Sequence, residues 1–452
     1  MAIPRPLNSG AKAALRLAVL TAAGISAIVA ICAVLQLARC VPGIDFYQFW
    51  VVGTELRYGD ARDVYSARQR NDLGRKWRER ADPAVERQQT AARVRTTLQT
   101  FSSPLLYSTF AALSTGDYEL DHQRYCLLCL AVSVMGILAL CRVFGYSWAR
   151  SLLAVTLFIG CSAPLRSDVI VTNVNQLQFG GLALYLWSQG QPEWRLRHLF
   201  GGGMLGLLLA FKPNLGLCVA LLFLTWSVNG RWSKLCEHAL GIVVGLASAV
   251  AASVWAFGSV DCWSRWLASM RELLVEVTSS STMGNYSLAN LIEELTGRRT
   301  STPLLAVLGA AATAVIVRAS KNTAEGDACR PLDEDVLAIS LGLAAMLLGS
   351  VLVWLHYFVL IVPTAIYCLR PRDARHWIRQ GGALSLVAAW IGTVLITQFP
   401  PIMGHVYAAS RAMSVPMPLV KTALVGTGTI LLALAVVREF QRNGNGHHDQ
   451  RD

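Results

Sequence analysis

Charge is scarce in this chain: Asp, Glu, Lys and Arg make up 15% of its 452 residues, where soluble domains carry about 25%. With 54% hydrophobic residues and a mean hydropathy of +0.44, that scarcity excludes an aqueous globular protein. Acids are scarcer than bases, 28 against 40, and a net charge of +12 on a soluble protein would point to nucleic acid. Here the cations lie mostly between apolar runs, so membrane lipids are the expected partners and nucleic acid is not. A repeated cysteine motif is also missing. Most of the eleven cysteines, among them Cys32, Cys141, Cys161, Cys218 and Cys368, stand inside apolar stretches as small hydrophobes. Cys126 and Cys129 form one C-x-x-C without a second pair or a histidine at ligand spacing, so no metal site is expected. Cys40 and Cys262 fall at outer ends of apolar runs, and the sequence leaves open whether they pair.

What the chain has in abundance is apolar runs of membrane-crossing character. The first, Ala13 to Leu37, follows Arg5, Lys12 and Arg16 and is too long for a signal-peptide core, so it reads as a retained span with its N-terminus inside. Eleven more follow at about Tyr125–Cys141, Ser151–Pro164, Gln176–Ser188, Leu199–Phe211, Asn214–Val228, Ala239–Phe257, Pro303–Val317, Val336–Leu355, Phe358–Leu369, Ala383–Thr397 and Met417–Val437. Alternating these twelve puts every short cation-rich connection on one face: Arg142 and Arg150, Arg195 and Arg197, Arg231 and Lys234, Arg318 to Arg330, Arg370 to Arg379, and the tail. The expectation is one all-α polytopic membrane domain over residues 1–442, with both termini cytoplasmic and a polar, disordered tail at 443–452. Two long outer segments, 38–124 and 258–302, face the other side.

Several runs are short. Ser151–Pro164, Gln176–Ser188, Leu199–Phe211 and Phe358–Leu369 hold only 12 to 14 residues each, and a helix of that length covers about 20 Å of a hydrocarbon layer about 30 Å thick. Broken helices persist at membrane depth where protein or a water-filled cavity satisfies their backbone. Their polar ends, Arg166 to Asp168, Asn173 to Gln178, Lys212-Pro213 and His356-Tyr357, share the outer side, so a polar cavity opening outward is expected.

Asp45, behind Pro42 and Gly43 at the end of the first span, suits a general base or a helix cap. Lys212 interrupts apolar sequence at a proline break, where an unpaired cation costs about 2.5 to 3.5 kcal/mol; it binds an anion or snorkels. The amides from Asn173 to Gln178 are pocket groups or interhelical glue, and His356 lies in the pocket or in an interfacial belt. Gly201-x-Gly203-x-x-Gly206 has the letters of a dinucleotide fingerprint, yet no strand precedes it and close helix packing explains it better. Asp333-Glu334-Asp335 resembles the D-x-D of nucleotide-sugar enzymes without a soluble domain to carry it, and Asn285-Tyr286-Ser287 satisfies a glycosylation sequon. The arginines between Arg57 and Arg95 read as a solvated helical surface or as a gatherer of anionic headgroups.

Taken in order, Ile44-Asp45-Phe46-Tyr47, Phe101-Ser102-Ser103-Pro104, Gln176-Leu177-Gln178, Phe211-Lys212-Pro213, Asn285-Tyr286-Ser287-Leu288 and Trp354-Leu355-His356-Tyr357 resemble the motifs of glycosyltransferase family 87, in the GT-C superfamily of multi-spanning enzymes. The chain departs from them with Ser102-Ser103-Pro104 where the family more often has Tyr-Pro-Pro, and with Asn175-Gln176-Leu177-Gln178 in place of Gly-Gln-x-Asn. The resemblance implies a GT-C-like bundle, an outward active site, a polyprenyl-phosphate sugar donor such as a mannosyl lipid, and a lipid or glycan acceptor. By motif it makes Asp45 the catalytic base. Lys212, His356 and Arg166 then attend the donor phosphate, and Tyr47, Gln176, Gln178, Asn285 and Tyr357 line the substrate pocket. No metal or other cofactor is required, because fixed cations can stabilise a phosphate leaving group. A transporter or lipid flippase is the alternative, and it would be favoured by internal repeats that the sequence does not display.

Overall fold

The computed structural model describes residues 9–59, 63–277, 284–298, 300–324, 331–370, 381, 383–390 and 417–445. The described chain is helical, its only β-pairing an isolated bridge between Asn285 and Trp354. The protein is an all-α polytopic membrane protein. Among the described residues five helices are long and apolar enough to cross a membrane, six if a pair bent by 54° counts as one. Four shorter apolar helices accompany them. The second half of the run 383–397, the arginines from Arg372 to Arg379 and the end of the tail lie outside the described residues.

Helix α1 (Ser9–Cys40) contains the first apolar run. Its buried residues Ala23, Ala27, Ala30, Val34 and Ala38 recur every three or four positions, which sets a small-residue stripe on one face. Leu17, Ile25, Ile28 and Val29 cover the other face and are exposed, as lipid contact requires. The stripe packs on α7 (Trp148–Val155) and the π-helical turn Thr156–Gly160 that follows it. A break after that turn leads into α8 (Ala163–Val171) at the 54° bend.

Residues 41–59 and 63–117 form a compact assembly of α2 (Ile44–Tyr58), α3 (Ala67–Glu79), α4 (Glu86–Val94) and α5 (Pro104–Leu113). Its core is aromatic: Phe46, Phe49, Trp50, Tyr107, Phe110 and Tyr118 are all buried, and it continues onto Tyr125 of α6 (Tyr118–Val143). Two polar anchors hold it. Trp50 donates its indole N–H to Asp121 at 2.9 Å, and the buried Glu55 carboxylate accepts from Lys76 at 2.5 Å and from Trp77 at 2.8 Å. The arginines of this segment divide in a way that their spacing does not show. Arg68 and Arg75 are solvated, whereas Arg70 is buried, Arg87 ties Glu119 to the carbonyl of Arg39, and Arg95 reaches Asp45. A solvated surface therefore describes only part of the segment.

Helices α9 (Asn175–Gln189), α10 (Arg197–Phe211), α11 (Gly216–Val228) and α12 (Trp232–Phe257) build the centre with α13 (Pro331–Gly349). Glycines in and around the stretch that mimics a dinucleotide fingerprint, Gly202 and Gly206 on α10 and Gly245 on α12, bring the two helices together. A Cβ at Gly202 would stand 2.3 Å from the carbonyl oxygen of His238, one at Gly206 2.5 Å from that of Ile242, and one at Gly245 2.3 Å from that of Gly203. Only backbone fits there, the small-residue crossing expected in a membrane.

The acids that resemble a D-x-D sit in the first turn of α13 and are engaged in ion pairs. Asp333 pairs with Arg370 at 2.8 Å, Glu334 with Arg231 at 2.6 Å and Asp335 with Lys234 at 2.7 Å. Asp335 is fully buried and also accepts from the indole of Trp226 at 2.8 Å. Three cations from two cation-rich connections thus converge on one helix start.

One expectation about cysteine is revised, and one question that the sequence leaves open is answered. His122 stands one helical turn ahead of Cys126, its Nε2 3.7 Å from the thiol, so a histidine does lie at ligand spacing. No group of three His, Cys, Asp or Glu side chains gathers around it among the described residues. Cys40 and Cys262 are free thiols, the first exposed and the second buried. The sequon asparagine, Asn285, is buried with its amide nitrogen bonded to the Val351 carbonyl at 2.6 Å, which leaves no acceptor for a glycan.

Candidate active site

Pro42 and Gly43 end the first span as expected, and Gly43 takes φ 62°, a left-handed conformation that glycine adopts without a Cβ penalty. The chain turns there into α2 and places Asp45 in that helix's first turn, where the macrodipole favours a carboxylate. Asp45 does not cap the helix, since Gly43 is the N-cap and no side chain bonds the first amides. One oxygen, Oδ1, instead receives the Arg95 guanidinium. The other, Oδ2, accepts from the amide of Asn173 at 2.6 Å.

Asn173 follows Thr172, which at φ 54° is the one non-glycine residue with positive φ among those described. Thr172 terminates α8, and the strain is met by its hydroxyl, which donates to the Val169 carbonyl at 2.9 Å and sits 3.2 Å from His122 Nε2. The turn sends Asn173 toward Asp45 and opens α9 with Asn175 and Gln176. Both amides fold back on Asp168, which is fully buried: Asn175 donates to Oδ1 at 2.8 Å and Gln176 to Oδ2 at 2.9 Å.

Lys212 arrives from the end of α10, where Pro213 breaks the helix. Its ammonium donates to Asn175 Oδ1 at 3.0 Å and lies 4.0 Å from the centroid of the Tyr357 ring. Asp168 and Asp45 both lie within its electrostatic reach, and both act on Tyr357 as well. His356 is buried beside it, with Nε2 unpartnered among the described residues.

The structure therefore brings together Asp45, Gln176, Gln178, Lys212 and Tyr357, with His356 at the edge. Gln178 braces the break, donating to Asn214 at 2.8 Å and to the Lys212 carbonyl at 3.3 Å. Arg166 lies on α8 two residues before Asp168, half-buried, with its Nε unpartnered among the described residues. Tyr47 points into the aromatic core built by α2 to α5, between Trp50 and Tyr118; its hydroxyl has no partner among the described residues, and burial pushes its ionisation well above the ordinary phenol range. The side chain of Asn285 is occupied in holding its loop to the strand-like stretch at Val353, whose N–H it accepts at 3.0 Å. Asn173 is the first of the amides that the sequence offers as pocket groups or interhelical glue, whereas Asp168 and Arg95 are equally central here and the sequence marks neither as a site residue. The apparent break at Arg166–Asp168 was the available signal for Asp168, whereas nothing local distinguishes Arg95 from its neighbours.

Beside this cluster runs an apolar groove with a volume of about 740 Å3, between α5, α6, α9 and α10. Leu177, Leu184, Met204, Leu208 and Phe211 are among its lining residues. Its end at Leu177 and Phe211 directly adjoins Gln176, Gln178 and Lys212 in sequence.

No curated protein and no solved structure matches this chain. Residues 103–332, just over half of the chain, match glycosyltransferase family 87. The stretch holds Asp168, Asn173, Lys212 and the groove, while Asp45, Arg95 and His356 join them from outside it. With an all-α membrane fold and more than half of its length matched, the chain is a membrane glycosyltransferase that belongs to glycosyltransferase family 87.

Proposed function

We propose that the protein transfers a sugar from a polyprenyl-phosphate donor to a hydroxyl of a lipid or glycan acceptor, with inversion, on the extracytoplasmic face. The observation that carries this reading is a carboxylate and an ammonium in one hydrogen-bonded cluster, Asp45 to Asn173 and Lys212 to Asn175, next in sequence to Leu177 and Phe211 of an apolar groove. A groove of that character suits an isoprenoid chain, and the adjoining cation suits its phosphate. The outward orientation is supported by the side on which the short cation-rich connections fall.

Asp45 Oδ2 accepts a single bond, from Asn173, and keeps a lone pair for a proton. As the acceptor oxygen forms its bond to the anomeric carbon, its proton passes to Asp45. The bond from that carbon to the phosphate oxygen breaks, and the electron pair leaves on the phosphate monoester. Lys212 stabilises the charge gathered there. Proton transfer by a positioned base contributes about 10² to 10⁴ in rate.

Asp45→Asn preserves shape and removes the base. With purified protein, polyprenyl-phosphate mannose and a lipid acceptor, turnover should fall by about 10² or more with the donor KM retained. Near-unchanged turnover where chemistry limits the rate would refute the assignment.

A further inference from the structure

Asp168 is buried at the centre of the site, yet both of its oxygens are engaged by amides, so it has no evident part in proton transfer. Its chemistry as an acceptor nevertheless decides how those amides lie. An ionised carboxylate accepts hydrogen bonds and donates none, so Asn175 can only turn its NH2 toward Asp168. The carbonyl end of the same amide then has one direction left, toward the Lys212 ammonium at 3.0 Å. Gln176 is set by the same logic: its NH2 faces Asp168, and its oxygen accepts from Ser133 on α6 at 2.9 Å.

Of the three donors on the Lys212 ammonium, one is taken by Asn175, and the face of Tyr357 covers another side. At least one remains to meet an anion. With the Asn175 amide reversed, an NH2 group would oppose the ammonium, and the lysine would lose both its restraint and its direction.

We propose that Asp168 is a positioning residue that, by fixing the orientation of the Asn175 amide, aims the Lys212 ammonium at the phosphate of a polyprenyl-phosphate lipid. The inference rests on the donor reading above and adds to it the residue that prepares the phosphate site. Asp168 acts through Asn175 and does not touch the donor.

The test measures binding by the purified full-length chain in detergent of two probes, undecaprenyl phosphate and the neutral alcohol undecaprenol. Asp168→Asn puts an NH2 against one of the two amides and breaks the directional rule, so it should weaken undecaprenyl phosphate about tenfold and leave undecaprenol unchanged. Lys212→Met should show the same selective loss. If Asp168→Asn weakens both lipids alike, or neither, while Lys212→Met remains selective, Asp168 is structural only and the inference is overturned. If Lys212→Met leaves phosphate binding intact, the donor reading of Lys212 itself falls. Asn175→Ala retains Asp168 and its bond to Gln176, and it serves should Asp168→Asn not accumulate. Absence of the phosphate-selective loss in that variant overturns the inference equally.

Discussion

Gly43 and Thr172 face each other as two left-handed turns, and this contact is what brings Asp45 and Asn173 together across 128 residues of sequence. A Cβ on Gly43 would fall 3.0 Å from the Thr172 hydroxyl and 2.6 Å from His122 Nε2. Each turn releases the chain within two residues of a site side chain, so the geometry of the site depends on backbone as much as on the polar groups.

Gly43→Ala should therefore impair both stability and activity. The left-handed φ and the collision with His122 together cost about 1 to 3 kcal/mol. A lowered thermal midpoint in detergent, with turnover falling further than the folded fraction explains, is the expected result. An unchanged midpoint would show that the turn relaxes freely.

Arg95→Gln removes the cation on Asp45 Oδ1 and the bond that its Nε donates to the Ile44 carbonyl at 3.2 Å. Because these contacts hold the carboxylate and not the donor, kcat should fall about tenfold with donor KM unchanged. Steady-state kinetics with the donor varied separates this from a binding defect, which would appear as raised KM.

Gly206→Leu forces a side chain into the backbone of α12, where even a Cβ would stand 2.5 Å from the Ile242 carbonyl oxygen. The crossing has to open, and overpacking of this kind costs about 1 to 3 kcal/mol or more. The variant should accumulate poorly and melt earlier. Stability equal to the parent would mean that α10 and α12 do not pack as described.

At the other polar cluster, Lys234→Met leaves Asp335 buried without its ion pair and should destabilise by about 3 to 5 kcal/mol. The double variant Lys234→Met with Asp335→Leu removes both charges and should recover much of that loss. A double-mutant cycle read by thermal unfolding checks this. Additive losses would show that the pair is not coupled.

Composition and order along the chain were sufficient for the membrane class, the polar breaks and the family. Ala13 to Leu37 lies within α1, and the interruptions near Pro164, at Pro213 and before His356 are true breaks in helices. These features are legible because hydropathy, proline geometry and glycine tolerance act over a few residues and leave local traces. Tertiary structure alone decided which polar groups meet. Arg95 differs from Arg93 in no local property, yet it alone of the two pairs with Asp45, because the end of α4 is folded against the start of α2. Asp168 became the centre of the site because the Thr172 turn folds the first residues of α9 back over it. A hydrogen bond needs two groups within about 3 Å in a set direction, and that relation between distant segments has no local signature in sequence.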